Sequence, residues 1–399
     1  MSKLFLFLPF FVISSVAACK GPPKPTGFVI VGGDPDGGTS AEVWSPKKQC
    51  RLPPLSQTMF SPTVNALSHR VIACDGSACF ELKKKPTAEI AKEAKAFHAA
   101  RKKNAGRRKP KKVEEPPRGR WQQLDTLEWR VAHTSAVVPD GLLLVGGSGS
   151  PNTTELIPKK REGDETRGYM GFSLETGRQF HCSIQTDETS IILTGGLDTE
   201  FLVTEHTELG DLEDTESREI ANLTIGRYYH ACGMYSVGED QTKVNLCHTG
   251  CCNKAICPIP QMLIVAGGWN VEVLGSTEVL DYTKYLEDEG GSKWTQVYGR
   301  LCLRMALYGP CLQVKPLPTP LWGMRGASLA GVFHITGGWM AAADGHWIDT
   351  DEILAWNQRR WKVAGSMTNP RDWQAAHGVT EIPLGAVTSM CLANDIPPD

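Results

Sequence analysis

Leu142-Leu143-Leu144-Val145-Gly146-Gly147 is an apolar run of four residues that stops on two glycines. The same pattern returns as Phe28-Val29-Ile30-Val31-Gly32-Gly33, Ile191-Ile192-Leu193-Thr194-Gly195-Gly196, Leu263-Ile264-Val265-Ala266-Gly267-Gly268 and Val332-Phe333-His334-Ile335-Thr336-Gly337-Gly338. Val71-Ile72-Ala73-Cys74-Asp75-Gly76 is a sixth, degenerate copy. A continuous apolar run of this length reads as a strand buried on both faces, ending where glycine is most easily accommodated.

Other residues repeat in phase with the pairs. A glutamate stands at Glu42, Glu155, Glu205, Glu278 and Glu352, where it is read as opening the next strand. A tryptophan precedes an arginine by nine or ten residues at Trp121/Arg130, Trp294/Arg304 and Trp361/Arg371. R-x-x-H occurs at Arg130/His133, Arg178/His181 and Arg227/His230, and Arg371 to His377 is a looser copy. A strand–GG–strand–Trp–strand–Arg/His unit of about 45–50 residues matches one four-stranded propeller blade. Such a blade cannot bury both faces alone, so copies must stack around an axis. Through its glycine pairs, tryptophans and R-x-x-H segments the chain resembles the kelch-repeat family over almost all of residues 19–399. The expected fold is all-β, a six-bladed kelch-type β-propeller. The chain enters in a GG strand and ends with Arg371-Asp372-Trp373-Gln374-Ala375-Ala376-His377-Gly378-Val379. The C-terminal strand is therefore expected to close the first blade, leaving no free sheet edge at the seam.

The first 18 residues read as a signal peptide. Lys3 is the charged start, Leu4 to Ile13 are apolar apart from Pro9, and Ser15/Ala17 or Val16/Ala18 suit a cleavage site. Val16-Ala17-Ala18-Cys19 also matches a bacterial lipobox, which would place lipid on Cys19. No later run of about 18 apolar residues predicts a membrane span. Thirteen cysteines, in a secreted and hence extracellular chain, imply disulfides, with an odd one left over. Cys74/Cys79 and Cys302/Cys311 are local candidates. Asn152 and Asn222 head N-x-S/T sequons, the expected glycosylation sites.

Three spacings are long. The insertion 83–120 holds 15 Lys/Arg against four Glu, a local charge of +11; subtracting it from the overall −2 leaves −13 elsewhere. Thr87 to Lys103 predicts a helix, followed by a basic Gly/Pro stretch. The segment Lys83–Arg120 is a tether to a polyanion, such as a sulfated glycan, an acidic protein or nucleic acid, or else a solvated loop or a dibasic processing site. The overall charge gives no case for nucleic acid. The insertion 247–257 places four cysteines and His248 in eleven residues, which suits disulfides better than zinc in an exported chain. Segments near Tyr285–Lys293 and Pro316–Pro320 read as plain loops.

No motif for a nucleophile elbow, phosphate loop, dinucleotide or calcium site occurs, so no cofactor and no metal are expected. Arg130, His133, Arg178, His181, Arg227, His230, Arg371 and His377 form the candidate channel ring. There they would suit an anion such as a carboxylate or sialic acid, or else hydrogen-bond loops between blades, as the kelch resemblance implies. The expected function is a secreted, non-catalytic propeller binding an extracellular protein or glycan. The alternative, implied by resemblance to related propellers, is a sugar-active enzyme with its site at the channel mouth, either sialic-acid mutarotase-like or copper-oxidase-like. Tyr228, Tyr229, His230 and Cys232 are the residues nearest to the copper-oxidase pattern.

Overall fold

The computed structural model describes residues 26–33, 38–67, 70–105, 116, 118–159, 169–237, 261–288, 292–296, 299–301, 312–342, 344–358, 360–371 and 378–392. The signal-like segment 1–18, Cys19, residues 106–115 of the basic insertion, the cysteine-rich insertion 247–257, Cys302, Arg304, Cys311 and His377 lie outside the described residues.

Six sheets form the blades of a β-propeller. Their innermost strands are Gly378–Pro383, Thr63–Leu67, Thr134–Val138, Cys182–Gln185, Ala231–Ser236 and Arg325–Leu329, for blades 1 to 6. Each contacts its neighbours in that cyclic order, and the sixth contacts the first. The second strands are the apolar runs that define the repeat. Their alternate residues face opposite neighbours. Leu142 and Leu144 pack with Ile72 and Leu124 of blade 2, whereas Leu143 and Val145 pack with Ile191 and Leu193 of blade 4. The same alternation joins Ile192 to Leu263 and Val265, Ile264 to Phe333 and Ile335, Phe28 and Ile30 to Ile353, and Val29 and Val31 to Val71 and Ala73. Both faces are covered, so the runs carry no polar alternation. Each such side chain contributes about 1.5–3 kcal/mol on burial.

Blade 1 closes as the sequence predicts. Gly378–Pro383 pairs antiparallel with Thr26–Val31, from Val31↔Gly378 to Thr26↔Pro383. A disulfide from Cys50 to Cys391 fixes this seam across 341 residues, and Leu392 N–H donates to Arg51 O at 2.8 Å. Leu384, Val387 and Met390 bury themselves in the cluster between blades 1 and 2.

Blade 2 is a three-stranded sheet whose outer strands, Arg70–Lys84 and Gly119–Arg130, extend into a long hairpin. The basic insertion continues from it as the helix Thr87–Ala105, on which Lys92, Lys95, Arg101, Lys102 and Lys103 are exposed. Lys85 pairs with Glu93 at 2.8 Å and Arg120 with Glu89 at 3.2 Å, tying the helix to the hairpin. The segment expected as a loop near Tyr285 instead contains a short helix, Tyr282–Glu287. Asp281 caps it by accepting from Lys284 N–H, and Tyr282 and Tyr285 anchor it in the core. The loop reading began at Tyr285 and so missed that Tyr285 stands at helical spacing from the equally buried Tyr282.

Deleting residues 370–399 removes the inner strand of blade 1 and one end of the Cys50–Cys391 bridge. The expected result is loss of cooperative unfolding, or a much lower midpoint, in thermal and denaturant melts. Cooperative unfolding at the full-length midpoint would contradict closure at this seam.

Candidate functional site

The segments joining one blade to the next carry the R-x-x-H residues. Arg130, Arg178, Arg227 and Arg371 are at most 1% exposed. Each guanidinium reaches into the next blade and donates to the carbonyl of the first glycine of its pair. Arg130 bonds Gly146 O at 2.9 Å, Arg178 bonds Gly195 O at 3.0 Å, Arg227 bonds Gly267 O at 2.8 Å, and Arg371 bonds Gly32 O. Each also meets a glutamate buried in that blade: Arg130–Glu155 at 3.6 Å, Arg178–Glu208, Arg227–Glu278, and Arg371–Glu42 at 2.6 Å. Burial pulls the Arg178 guanidinium below its usual value, and Glu208 pulls it back.

The glutamate of blade 4 is thus Glu208, which pairs with Leu193 in the sheet, rather than Glu205. Glu352 is exposed and Leu354 takes the equivalent position, opposite Ile335. The insertion holding the Trp339–Ala341 strand displaced the count in blade 6. There the junction is apolar on both sides. Leu321 O accepts from Gly268 N–H, as Arg227 O accepts from Gly196 N–H, and Leu321, Met324 and Leu354 share one core cluster. Leu and Met stand where the other junctions have Arg and His, and a leucine stands where they have glutamate. Between blades 1 and 2, Met59 is fully buried at the corresponding place.

The histidines are buried too. Each Nε2 sits on a threonine hydroxyl of the preceding blade: His133 on Thr63 at 3.1 Å, His181 on Thr134 at 2.9 Å and His230 on Thr194 at 2.8 Å. Burial first, then a neighbouring arginine, hold all three far below the usual imidazole range, His133 at about 3. They are neutral at pH 7. Their bulk also explains the second glycine of the pairs. A Cβ on Gly196, at φ +103, would lie 2.8 Å from His181 Cβ and 2.7 Å from Gln179 O.

The two residues inside each R-x-x-H build the loop face. The third residue of each segment has positive φ: Ala132, Phe180, Tyr229 and, in the apolar junction, Gly323. Phe180 N–H donates to Ala132 O, Tyr229 N–H to Phe180 O and Gly323 N–H to Tyr229 O, each at 3.0 Å. This backbone chain runs from blade to blade and repays left-handed conformations that cost an L-residue roughly 1–2 kcal/mol. The second residue bridges the residue just after the glycine pair of the next blade: Val131 to Ser148, Gln179 to Leu197, Tyr228 to Trp269, and Trp322 to Trp339.

At blades 5 and 6 these positions are aromatic. Phe180 and Tyr229 have centroids 4.3 Å apart, Tyr229 and Trp322 5.8 Å, Trp269 and Trp322 5.0 Å, and Trp339 and Trp347 5.4 Å with nearly parallel planes. Trp347 is 40% and neighbouring Val271 92% exposed. Trp269, Val273, Pro320 and Trp347 line an open cleft of about 350 Å³. None of these tryptophans was read as a site residue from the sequence. The available signal was the Trp that follows the glycine pair in blades 5 and 6, Gly-Gly-Trp269 and Gly-Gly-Trp339.

Of the expected ring, His133, His181 and His230 line an axial cavity of about 100 Å³, with Thr63, Thr134, Ser135, Ser183 and Arg325. The four arginines are not among its lining residues, and His377 is outside the described ones. Arg325 carries no sequence motif and was missed. Cys232 is bridged to Cys182 across blades 4 and 5, which removes the thiol a Cys–Tyr crosslink needs. Cys74–Cys79 forms as expected. Among the described residues no group of three or more His, Cys, Asp or Glu is placed to hold a metal. Asn152 and Asn222 are exposed.

No protein-family model matches the chain, and no curated protein matches it in sequence. Among solved structures it is similar to one titled "Structure of YjhT", with a TM-score of 0.49 and 12% identity over 81% of this chain and 88% of that one. The architecture is therefore read from the blades themselves.

Two outcomes test the junction. Arg227→Leu leaves Glu278 buried and unpaired and is expected to cost about 3–5 kcal/mol. Adding Glu278→Leu, which copies the Leu321/Leu354 junction, is expected to recover a large part of that loss. A double variant as unstable as the sum of the singles in denaturant melts would refute the equivalence. The histidines set the acid response. Their folded pKa values lie below the unfolded value, so the unfolded chain takes up protons first as pH falls through about 6.5. Stability is complete above that and falls towards pH 3, by roughly 1.4 kcal/mol per pH unit for each histidine. His181→Gln should flatten the slope between pH 6.5 and 4; an unchanged slope would contradict the assignment.

Proposed function

We propose that this chain is an exported kelch-type propeller that binds an extracellular glycan or protein through the loop face of blades 5 and 6, without catalysis. The observation that carries this reading is the continuous set of rings from Phe180 and Tyr229 through Trp322 to Trp269, Trp339 and Trp347. Apart from the buried Trp322 these rings are at least partly exposed; they are held by the repeat's own backbone bridges and bordered by Val271 and Ile348. Rigid tryptophans with one open face suit the apolar faces of sugar rings and the anchors of a protein interface. A patch of this kind on a water-exposed face marks an interaction surface.

Export rests on residues 1–18 as signal peptide and on glycosylation at Asn152 and Asn222. The three disulfides among the described residues are compatible with an oxidising compartment. Among the described residues no helix is long and apolar enough to cross a membrane. The exposed lysines and arginines of Thr87–Ala105 supply a second, electrostatic contact for sulfated glycans or acidic partners. The sugar-active alternative places its site at the channel mouth, where the described polar groups are neutral histidines engaged by threonines, two serines and Arg325.

The test is an array of neutral and sulfated glycans probed with the purified chain. Trp269→Ala and Trp347→Ala should weaken every positive signal at least about tenfold, with the melting midpoint nearly unchanged. Replacing residues 86–117 by a short Gly/Ser turn should weaken the sulfated ones alone. Binding that survives both tryptophan substitutions, or turnover of a bound sugar, would overturn the reading.

A further inference from the structure

Arg325 opens the inner strand of blade 6 and points into the axial cavity, whose wall it forms with His133, His181 and His230. It differs from the four junction arginines in one respect. Among the described residues its guanidinium makes no ion pair, and its one hydrogen bond runs from Nη2 to Ser61 Oγ at 3.0 Å. Asp75 acts on it from a distance. That carboxylate is itself engaged by Phe60 N–H at 2.6 Å and Ser61 N–H at 3.2 Å, so it faces the blade junction. A guanidinium presents five N–H donors in a planar fork. Here one hydrogen bond of that fork is formed among the described residues, and the side chain lines the cavity.

Among the described residues the rest of the wall contributes no negative charge. Thr63 and Thr134 hydroxyls are in contact with His133 and His181. Ser135 Oγ accepts from Asn65. Cys182 is oxidised. The Nδ1 atoms of His181 and His230 are buried without a partner among the described residues. Among the described residues the titratable groups that face Arg325 are therefore three neutral imidazoles, the Tyr229 phenol and the remote Asp75. A cation with no ion-pair partner among the described residues, in a partly enclosed site, attracts an anion more strongly than it would on the open surface. The cavity volume, about 100 Å³, admits a group of a few heavy atoms.

We propose that this axial cavity is a binding site for a small oxyanion, gripped in bidentate fashion by the Arg325 fork, with the hydroxyls of Ser135 and Ser183 within its wall. The chemistry is shared by a carboxylate and an inorganic tetrahedral oxyanion. Both match the fork, and a bare halide does not. The site is independent of the tryptophan face.

The experiment uses the full chain and the probes sodium acetate, sulfate and phosphate, with chloride adjusted to constant ionic strength. Melting midpoints and isothermal calorimetry are read together. The wild-type chain is expected to show a saturable rise in midpoint with at least one oxyanion over chloride. Acetate alone identifies a carboxylate site, and sulfate or phosphate alone a tetrahedral one. Arg325→Gln should abolish the rise, and Arg325→Lys, which keeps the charge without the fork, should weaken binding at least about tenfold. Trp269→Ala should leave it intact, which separates this site from the loop face. No saturable effect in the wild type, or equal binding by Arg325→Lys, or an undiminished effect in Arg325→Gln, would each overturn the proposal. The last would place the anion on the basic helix.

Discussion

A buried guanidinium reaching across a blade boundary is the contact on which the ring depends. Apolar packing alone makes neighbouring blades adhere, but it does not fix their register, because a sheet face lined by Val, Ile and Leu can slide. Arg178 does fix it. Its fork meets Gly195 O, His206 O and Glu208 at once, and its own carbonyl accepts from Gly147 N–H of the blade before. One residue thereby ties four positions on two blades. Replacing such a pair by apolar groups is often neutral in stability, whereas removing one partner is costly. The junction before blade 6 agrees with this, since it has lost Arg, His and Glu together and filled the space with Leu321, Met324 and Leu354.

The same geometry separates structure from binding. Side chains at the first and last positions of R-x-x-H point into the boundary, where Arg is paired and His is neutral. The histidines also reach the axial cavity, and the two residues between build the loop face. Variation there is free of the ring's constraints, and there the aromatic residues of blades 5 and 6 gather. The left-handed backbone at Phe180 and Tyr229 holds these rings over the channel, and the chain of hydrogen bonds from Ala132 to Gly323 stiffens the platform. Pre-organised aromatic surfaces lose little side-chain freedom on binding.

Much of the architecture was legible in the sequence. Six apolar runs with terminal glycines encode six second strands, and an unpartnered Arg/His strand at the end encodes closure. Other features depend on contacts between distant residues. Cys50 gives no hint that it meets Cys391, nor Cys182 that it meets Cys232, because connectivity is set by the curvature of the ring. Counting from the glycine pair selected Glu205 and Glu352, while sheet register selects Glu208 and Leu354; a loop of variable length stands between the pair and the strand. The arginines were expected around the channel, but a long side chain at the end of an outer strand reaches the next blade more easily than the axis. Arg325 belongs to no repeat position that carries charge elsewhere, so periodicity could not single it out.

The central claim is that the six blades form one closed cooperative unit, locked at the junctions. Native-state hydrogen exchange measures this directly. The amides of Gly147, Gly196 and Gly268, which donate across junctions, and those of Thr26–Val31 at the seam should exchange through a single opening whose free energy equals that of global unfolding. A seam that opens at much lower free energy than the blade 3 to blade 5 junctions, exchanging ahead of them in weak denaturant, would contradict the account.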